Sequence, residues 1–475
     1  MPLASVLEFV TAQAPLLGEL SDRIWDTPEL GLHETRSSAV LADAMEAGGF
    51  TVVRGVAGMP TAFVATYGEG APRIALLGEF DALPGLSQAR DLAEHRPLVP
   101  NGPGHGCGHN LLGTAAAGAA MAVRDAIRRG EVSGTVRFDG CPAEETLVGK
   151  VFMVKAGLYK DVDCALTWHP GPTNAVMAEQ HTAMNSARFT FRGVASHAAA
   201  MPEQGRSALD AVELMNVGAN FLREHVHSST RIHYVITDGG LAPNVVPSRA
   251  EVWYYVRAPR RRQVEEVYAR LLDVARGAAL MSATTHVVRQ VAACYDTLAN
   301  RALGDLLQET MERIGPPSFT DAEKDLARRL QATFPAGALA KALDDLRGRG
   351  VDLGAPGGPG TVLLERVLPH GGYQESAGGS TDVGDVSYVV PTAQIRAVTA
   401  PLGMPGHSWQ NAVSVGSTIG RKGMLFAAQT LAAAACELMR EPARLGRARD
   451  EFRAATADAP YVSPVRDLDG PPLDL

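Results

Sequence analysis

Gly104-His105-Gly106-Cys107-Gly108-His109-Asn110 sets a thiol and an imidazole two residues apart in a segment with almost no other side chains. Glycine lets the backbone bend there, so Cys107 and His109 can reach one centre, and a metal site is the sharpest reading. By itself Cys-x-His is more often a glycine-rich turn whose histidines face solvent. His105 stands in the same stretch as a rival ligand to Cys107. The rest of the chain decides between these readings.

Working outward, Arg73–Gly78 is nearly all apolar, as expected of a strand buried on both faces, and runs straight into Glu79-Phe80-Asp81-Ala82-Leu83-Pro84. Leu111–Arg129 follows as an Ala-rich helix stopped by Gly130. Thr135–Asp139 reads as a strand leading into Cys141-Pro142-Ala143-Glu144-Glu145, and Asp163–Thr167 as one leading into Trp168-His169-Pro170-Gly171. Ala393–Ala400 is another, leading into Gly403-Met404-Pro405-Gly406-His407. Each of these strands ends near a carboxylate or a histidine. In open α/β sheets functional groups gather at the carboxyl edge of the strands, where loops converge over a rigid sheet.

The flanking chain completes an α/β architecture. Leu3–Trp25 and Glu34–Ala47 have helical periodicity, and Phe50–Val56 with Thr61–Thr66 reads as a hairpin. Between the two halves the texture changes to strand, helix, strand, strand, helix, strand: Ala187–Arg192, Arg206–His225, Arg231–Asp238, Arg249–Arg257, Arg261–Leu280 and Thr285–Val291. That order predicts a separate small α+β unit at 184–295, inserted between 1–183 and 296–475. The chain returns through a Gly/Pro-rich loop, Gly354–Gly360, and a helix from Gly423 to Met439. The Pro- and Asp-rich tail from Pro460 is expected to be loosely held.

Composition bounds the partners. With 475 residues the chain is too long for one ordinary core. Lys plus Arg is 44 against 52 for Asp plus Glu, a net charge of -8, which argues against nucleic acid or an anionic membrane as main partner. No long apolar run or basic leader is seen, so the cytoplasm is the expected location and no membrane association is expected. Cysteines 107, 141, 164, 294 and 436 are an odd set without paired spacing, which fits reduced thiols.

Adjacent glutamates in an irregular loop can point at different atoms: one can ligate a metal while its neighbour holds a water beside it. Glu-Glu alone is usually a solvated loop, but Cys107, His109, His169 and His407 also fall at strand edges. Thiolate, imidazole and carboxylate together suit zinc and tolerate manganese or cobalt. Five such ligands exceed one closed tetrahedral site and fit two ions roughly 3.5 Å apart, an arrangement that acidifies water and polarises a carbonyl. Amide hydrolysis is the natural use.

These motifs, together with Ala195-Ser196-His197-Ala198-Ala199, Gly379-Ser380-Thr381-Asp382-Val383-Gly384-Asp385-Val386-Ser387 and Gly406-His407-Ser408-Trp409-Gln410, resemble the co-catalytic di-metal aminoacylase/carboxypeptidase superfamily, in its cysteine-containing amidohydrolase branch. The resemblance covers nearly the whole chain. It implies a mixed-sheet catalytic domain, 1–183 and 296–475, with 184–295 as a lid and dimerisation domain. It implies that Cys107, His109, Glu145, His169 and His407 hold two divalent metal ions, zinc or manganese, with Cys107 as bridge. Glu144 would be general base and then acid toward a water shared by the metals. His197 would reach the active site across a homodimer and donate to the oxyanion. Asn244 and Arg257 would bind substrate, Arg257 clamping the free carboxylate of an amide's amino-acid half. A related second subunit is a further possible partner.

Two departures stand out. Where the wider superfamily has a metal-binding histidine two residues before the aspartate, this chain has Glu79, which stays unassigned, and Asp81 is read as orienting a ligand. Asn110 stands where relatives often carry aspartate. The acyl half is not legible in the sequence, so a dipeptide or N-acyl-amino-acid amidohydrolase of different acyl specificity is the nearer alternative. A non-catalytic partner subunit is the distant one.

Overall fold

The computed structural model describes residues 2–177, 179–354, 358, 361–370, 374–375 and 378–474. Its larger sheet has seven strands: β1 Thr51–Arg54, β2 Phe63–Gly68, β3 Arg73–Glu79, β4 Thr135–Cys141, β5 Cys164–Gly171, β6 Ala175–Val176 and β13 Thr392–Val398, in the order β1-β2-β4-β3-β5-β13-β6. The four central strands β4, β3, β5 and β13 run parallel, while β1, β2 and β6 are antiparallel to their neighbours. These central strands are the ones whose ends carry the candidate site, so their carboxyl edges all face one way.

The uninterrupted apolar run of β3 follows from burial on both faces. Ile74 and Leu76 join one core with Leu112, Ala116 and Leu431, while Ala75 and Leu77 join the other with Val151, Phe152 and Val386. The first core lies under the helices Pro2–Ala12 (α1), Ala14–Asp26 (α2) and Thr35–Ala47 (α3), the Ala-rich His109–Arg128 (α4) and Thr418–Arg440. The second holds the short helix Gly149–Lys155 (α5).

The smaller sheet comprises β8 Ala183–Arg192, β9 Arg231–Asp238, β10 Arg249–Ala258 and β11 Thr285–Cys294, antiparallel in the order β11-β8-β10-β9. Helices Ala208–Leu222 (α6) and Arg261–Met281 (α7) cover one face, with Phe189, Phe191 and Val252 packed against Val212, Met215, Val264 and Leu271. A two-residue parallel pair, β7 Glu179–Gln180 with β12 Gln374–Glu375, lies apart from both sheets.

Two expectations need correction. The helix expected over Leu3–Trp25 is two, parted at Gln13, with Pro15 in the first turn of the second. Proline has no N–H to continue the ladder, and its ring crowds the preceding turn. The tail is anchored rather than loose: Val465 is buried in the second core, and Tyr461 donates through its hydroxyl to Asp385 Oδ1 at 2.7 Å. Lys155 Nζ adds a hydrogen bond to the Val465 carbonyl at 3.0 Å. Of the expected Gly354–Gly360 loop, residues 355–357, 359 and 360 lie outside the described residues.

Candidate active site

The opening stretch becomes a turn that ends at the first residue of α4. Gly108 adopts φ 92, and a Cβ there would meet the Pro170 ring at 3.0 Å, so glycine is required both for the bend and for the approach to the β5 end. His109 then begins the helix fully buried, with Nδ1 2.8 Å from Asp81 Oδ1. A proton on Nδ1 donated to Asp81 leaves Nε2 as an acceptor aimed into the site. Asp81 Oδ2 also accepts the Glu145 backbone N–H at 2.9 Å, so one carboxylate at the end of β3 positions two of the expected ligands.

His169 is turned in the same way: Nδ1 lies 2.8 Å from its neighbour's carbonyl, Pro170 O, and Nε2 lies 3.3 Å from Cys107 Sγ. His407 Nε2 lies 3.5 Å from Glu145 Oε2. Left-handed backbone at Ala143 (φ 55) and His407 (φ 49) gives both loops an unusual turn beside these ligands. Donor atoms of Cys107, His109 and His169 all lie within 4.8 Å of one another, and so do those of Cys107, Glu145 and His407. The five predicted ligands therefore gather as two triads that share Cys107. Glu79, His109 and Glu144 form a third group of the same dimensions.

The donor set fits a pair of divalent cations. His109 Nε2 and Glu145 Oε1 are buried without a hydrogen-bond partner, an arrangement that costs free energy unless a cation completes it. Burial, then Glu79 and Glu145, hold the Glu144 carboxyl well above its usual range. Burial likewise pushes Glu145 up to about 7 and the Cys107 thiol upward, while burial and the nearby His109 and Arg396 charges press His169 down to about 3. Crowded, desolvated anions of this kind are relieved by bound cations, which favour the deprotonated ligand forms.

The triads open into a cavity of about 500 Å³ that is also lined by Glu144, Arg257, Ser380 and Arg396. Arg257, on β10, reaches it with Nη1 donating to Ser380 Oγ at 3.3 Å, and its Nε is buried without a partner. His197 and Asn244 stand elsewhere. Both are exposed on the smaller unit, where the Ala198 N–H donates to the Asn244 carbonyl at 3.1 Å. His197 Nδ1 accepts from Ala199 and Ala200 N–H at 3.2 and 3.1 Å, a local cap, and neither residue lines the cavity of its own chain. His105, the rival ligand, faces away: its Nε2 donates to the Ile24 carbonyl at 3.1 Å and it lines a separate cavity. Asn110 donates to Ser21 Oγ at 3.0 Å within the first core.

Sequence reasoning missed a buried charge network behind the site. Lys150, wholly inaccessible on α5, places Nζ 2.7 Å from Glu79 Oε1 and also binds Asp382, while Glu79 Oε2 is 3.3 Å from His109 Nε2. A lone lysine in the otherwise apolar Gly149–Val154 segment was the available signal. Arg396 was missed too, since one arginine in a strand pattern reads as a surface charge.

A parallel-centred sheet whose strand ends gather two groups of side chains able to hold metal ions, beside a buried glutamate, is the arrangement of a metal-dependent hydrolase. Peptidase family M20/M25/M40 matches residues 75–467, and the chain belongs to that family. It is 43% identical over 451 residues to the B subunit of p-aminobenzoyl-glutamate hydrolase from Escherichia coli (strain K12), covering 94% of each chain. Xaa-Arg dipeptidase of Mus musculus is 28% identical over 459 residues, 94% of this chain and 91% of that one. The crystal structure of the aminobenzoyl-glutamate utilization protein from Klebsiella pneumoniae shares the fold, with a TM-score of 0.60 at 18% identity over 91% of this chain and 98% of that one. The resemblance drawn from the strand-end motifs thus holds.

Proposed function

We propose that this chain hydrolyses the amide bond of N-acyl amino acids with a free carboxylate, p-aminobenzoyl-glutamate foremost, releasing p-aminobenzoate and glutamate. The observation that carries this is the pair of triads sharing Cys107 beside buried Glu144, in one cavity with Arg257. The E. coli relative's name supports the substrate.

Cys107, His109 and His169 would hold one ion, and Cys107, Glu145 and His407 the other, zinc or manganese in each case. When bound, the ions supply Lewis acidity that polarises the amide carbonyl and acidifies water. Glu144 then accepts a proton from the attacking water and returns it to the departing nitrogen, so that a C–O bond forms and the C–N bond breaks. Asp81 keeps His109 in the tautomer whose Nε2 faces the site. Arg257 pairs with the substrate carboxylate through its fork of donors.

A homodimer through the smaller unit is part of this reading. β9 is an edge strand with Tyr234, Val235 and Ile236 exposed, an edge that invites a second copy. His197 and Asn244, exposed on the same unit, would then complete a neighbour's cavity, His197 donating to the oxyanion. The E. coli relative is named as one of a hydrolase's subunits, which supports a second, related chain as a partner as well. Among the described residues no helix is long and apolar enough to cross a membrane.

The test is metal analysis of the purified chain followed by hydrolysis of p-aminobenzoyl-glutamate by that chain alone. Glu144→Gln is expected to keep its metal and lose turnover by about 100-fold or more. Wild-type turnover in a metal-replete Glu144→Gln would remove Glu144 from the reaction.

A further inference from the structure

We propose that Arg396 is the specificity-determining residue for a second carboxylate, so that the cavity selects amides whose amino-acid half is a dicarboxylate. The inference rests on the amidohydrolase reading above and names its substrate class. It begins from strand register. In the parallel pair β5 and β13, Arg396 sits directly opposite His169, and residues paired across a parallel ladder share a face. His169 faces the cavity, so Arg396 faces it too, while neighbouring Ile395 is buried in the first core on the opposite face.

Gly171 makes room for it. A Cβ at that position would lie 2.4 Å from Arg396 Cδ and 2.7 Å from its Cγ, so the arginine stem lies across a bare strand end. The guanidinium has no hydrogen-bond or carboxylate partner among the described residues. Cys107, His169, His181 and Arg349 are near enough to feel its charge, and the half-buried His181 has a buried Nδ1 without a partner. Arg396 is half-buried, and a partly desolvated cation left unpaired at a cavity wall is a site suited to an anion.

Both arginines line the cavity onto which the triads open. His181 adjoins Arg396, the next residue Thr182 touches Ser380 Oγ at 3.1 Å, and Ser380 in turn accepts from Arg257. Two cations around one corner match two carboxylates on one half of the substrate, the main-chain and side-chain carboxylates of glutamate or aspartate. The same pair disfavours a leaving residue with a basic side chain, such as the one named for the Mus musculus relative.

The experiment compares p-aminobenzoyl-L-glutamate with its uncharged isostere p-aminobenzoyl-L-glutamine, on the metal-loaded wild type and Arg396→Gln. Calorimetric titration with L-glutamate and L-glutamine accompanies it as a readout independent of turnover. Wild type is expected to prefer the glutamate substrate in kcat/KM, and Arg396→Gln to lower that preference by about 10- to 100-fold while leaving the glutamine substrate nearly unchanged. An unchanged preference, or an equal fall for both substrates with metal retained, overturns the proposal. Should Arg396→Gln lose metal, the ratio is read on Arg396→Lys, which keeps the charge without the fork. Partial loss of preference supports the proposal and full retention overturns it. A wild type that cleaves neither amide refutes the amidohydrolase reading instead, and the Arg396 proposal is then decided by whether Arg396→Gln abolishes the calorimetric preference for glutamate.

Discussion

Replacing Lys150 with methionine removes the only cation that holds Glu79 and Asp382 together behind the active site among the described residues. Lys150 Nζ lies 2.7 Å from Glu79 Oε1 and binds Asp382 as well, and all three side chains are almost completely buried. Methionine fills the aliphatic volume but leaves two desolvated carboxylates facing each other. Breaking a buried ion pair by deleting one partner costs about 3–5 kcal/mol. With a denaturant slope of roughly 3 kcal/mol per molar urea, the unfolding midpoint at pH 7 should fall by about 1–1.7 M. Burial already pushes Asp382 up to about 6 despite the lysine, so without it that carboxyl is raised further above its unfolded value. Such raised acids favour folding when protonated, so the deficit of the variant should shrink as pH falls toward 5 and be largest above 7. Adding Asp382→Asn should recover part of the loss. A midpoint within about 0.3 M of wild type at pH 7, or a deficit equal at pH 5 and pH 7, would refute the reasoning.

Other expectations concern the loop and the tail. A Cβ at Gly149 would sit 1.8 Å from the Pro142 carbonyl, so Gly149→Ala must displace the loop that carries Glu144 and Glu145. Turnover should drop by about 10- to 100-fold with the fold retained, and a kcat within twofold of wild type would show that the loop is not set by this contact. Asp385 is raised from 3.8 to about 7, chiefly by burial, while accepting from Tyr295 N–H and Tyr461 O–H. Its contribution to stability is therefore present at low pH and lost as pH rises through about 7. Asp385→Asn should flatten the decline of the thermal midpoint between pH 5 and pH 8 by about 1–3 °C, and parallel profiles would contradict this.

Much of the site was readable before any coordinates because its information is local. The apolar run Arg73–Gly78 announces a doubly buried strand, and residues at the ends of such strands share an edge whatever the loops do. Cys107, His109, Glu145, His169 and His407 could therefore be grouped from chemistry and position, and the structure draws their donor atoms together. The break at Gln13 was also local, in Pro15, but was hidden by continuous amphipathic spacing. The anchored tail was not readable, since its polar composition says nothing of the Val465 side chain entering a core built from distant segments.

Residue types and their order along the chain were enough to group the candidate ligand side chains and to expect the parallel strands that present them. Only tertiary structure decided that Glu79 is held by Lys150, that His105 turns away, and that Arg396 stands beside His169 over the bare Gly171. Periodicity and turn chemistry act over a few residues, whereas these contacts depend on strand register and helix placement between segments far apart in the chain, and a one-residue shift of β13 would send Arg396 to the opposite face.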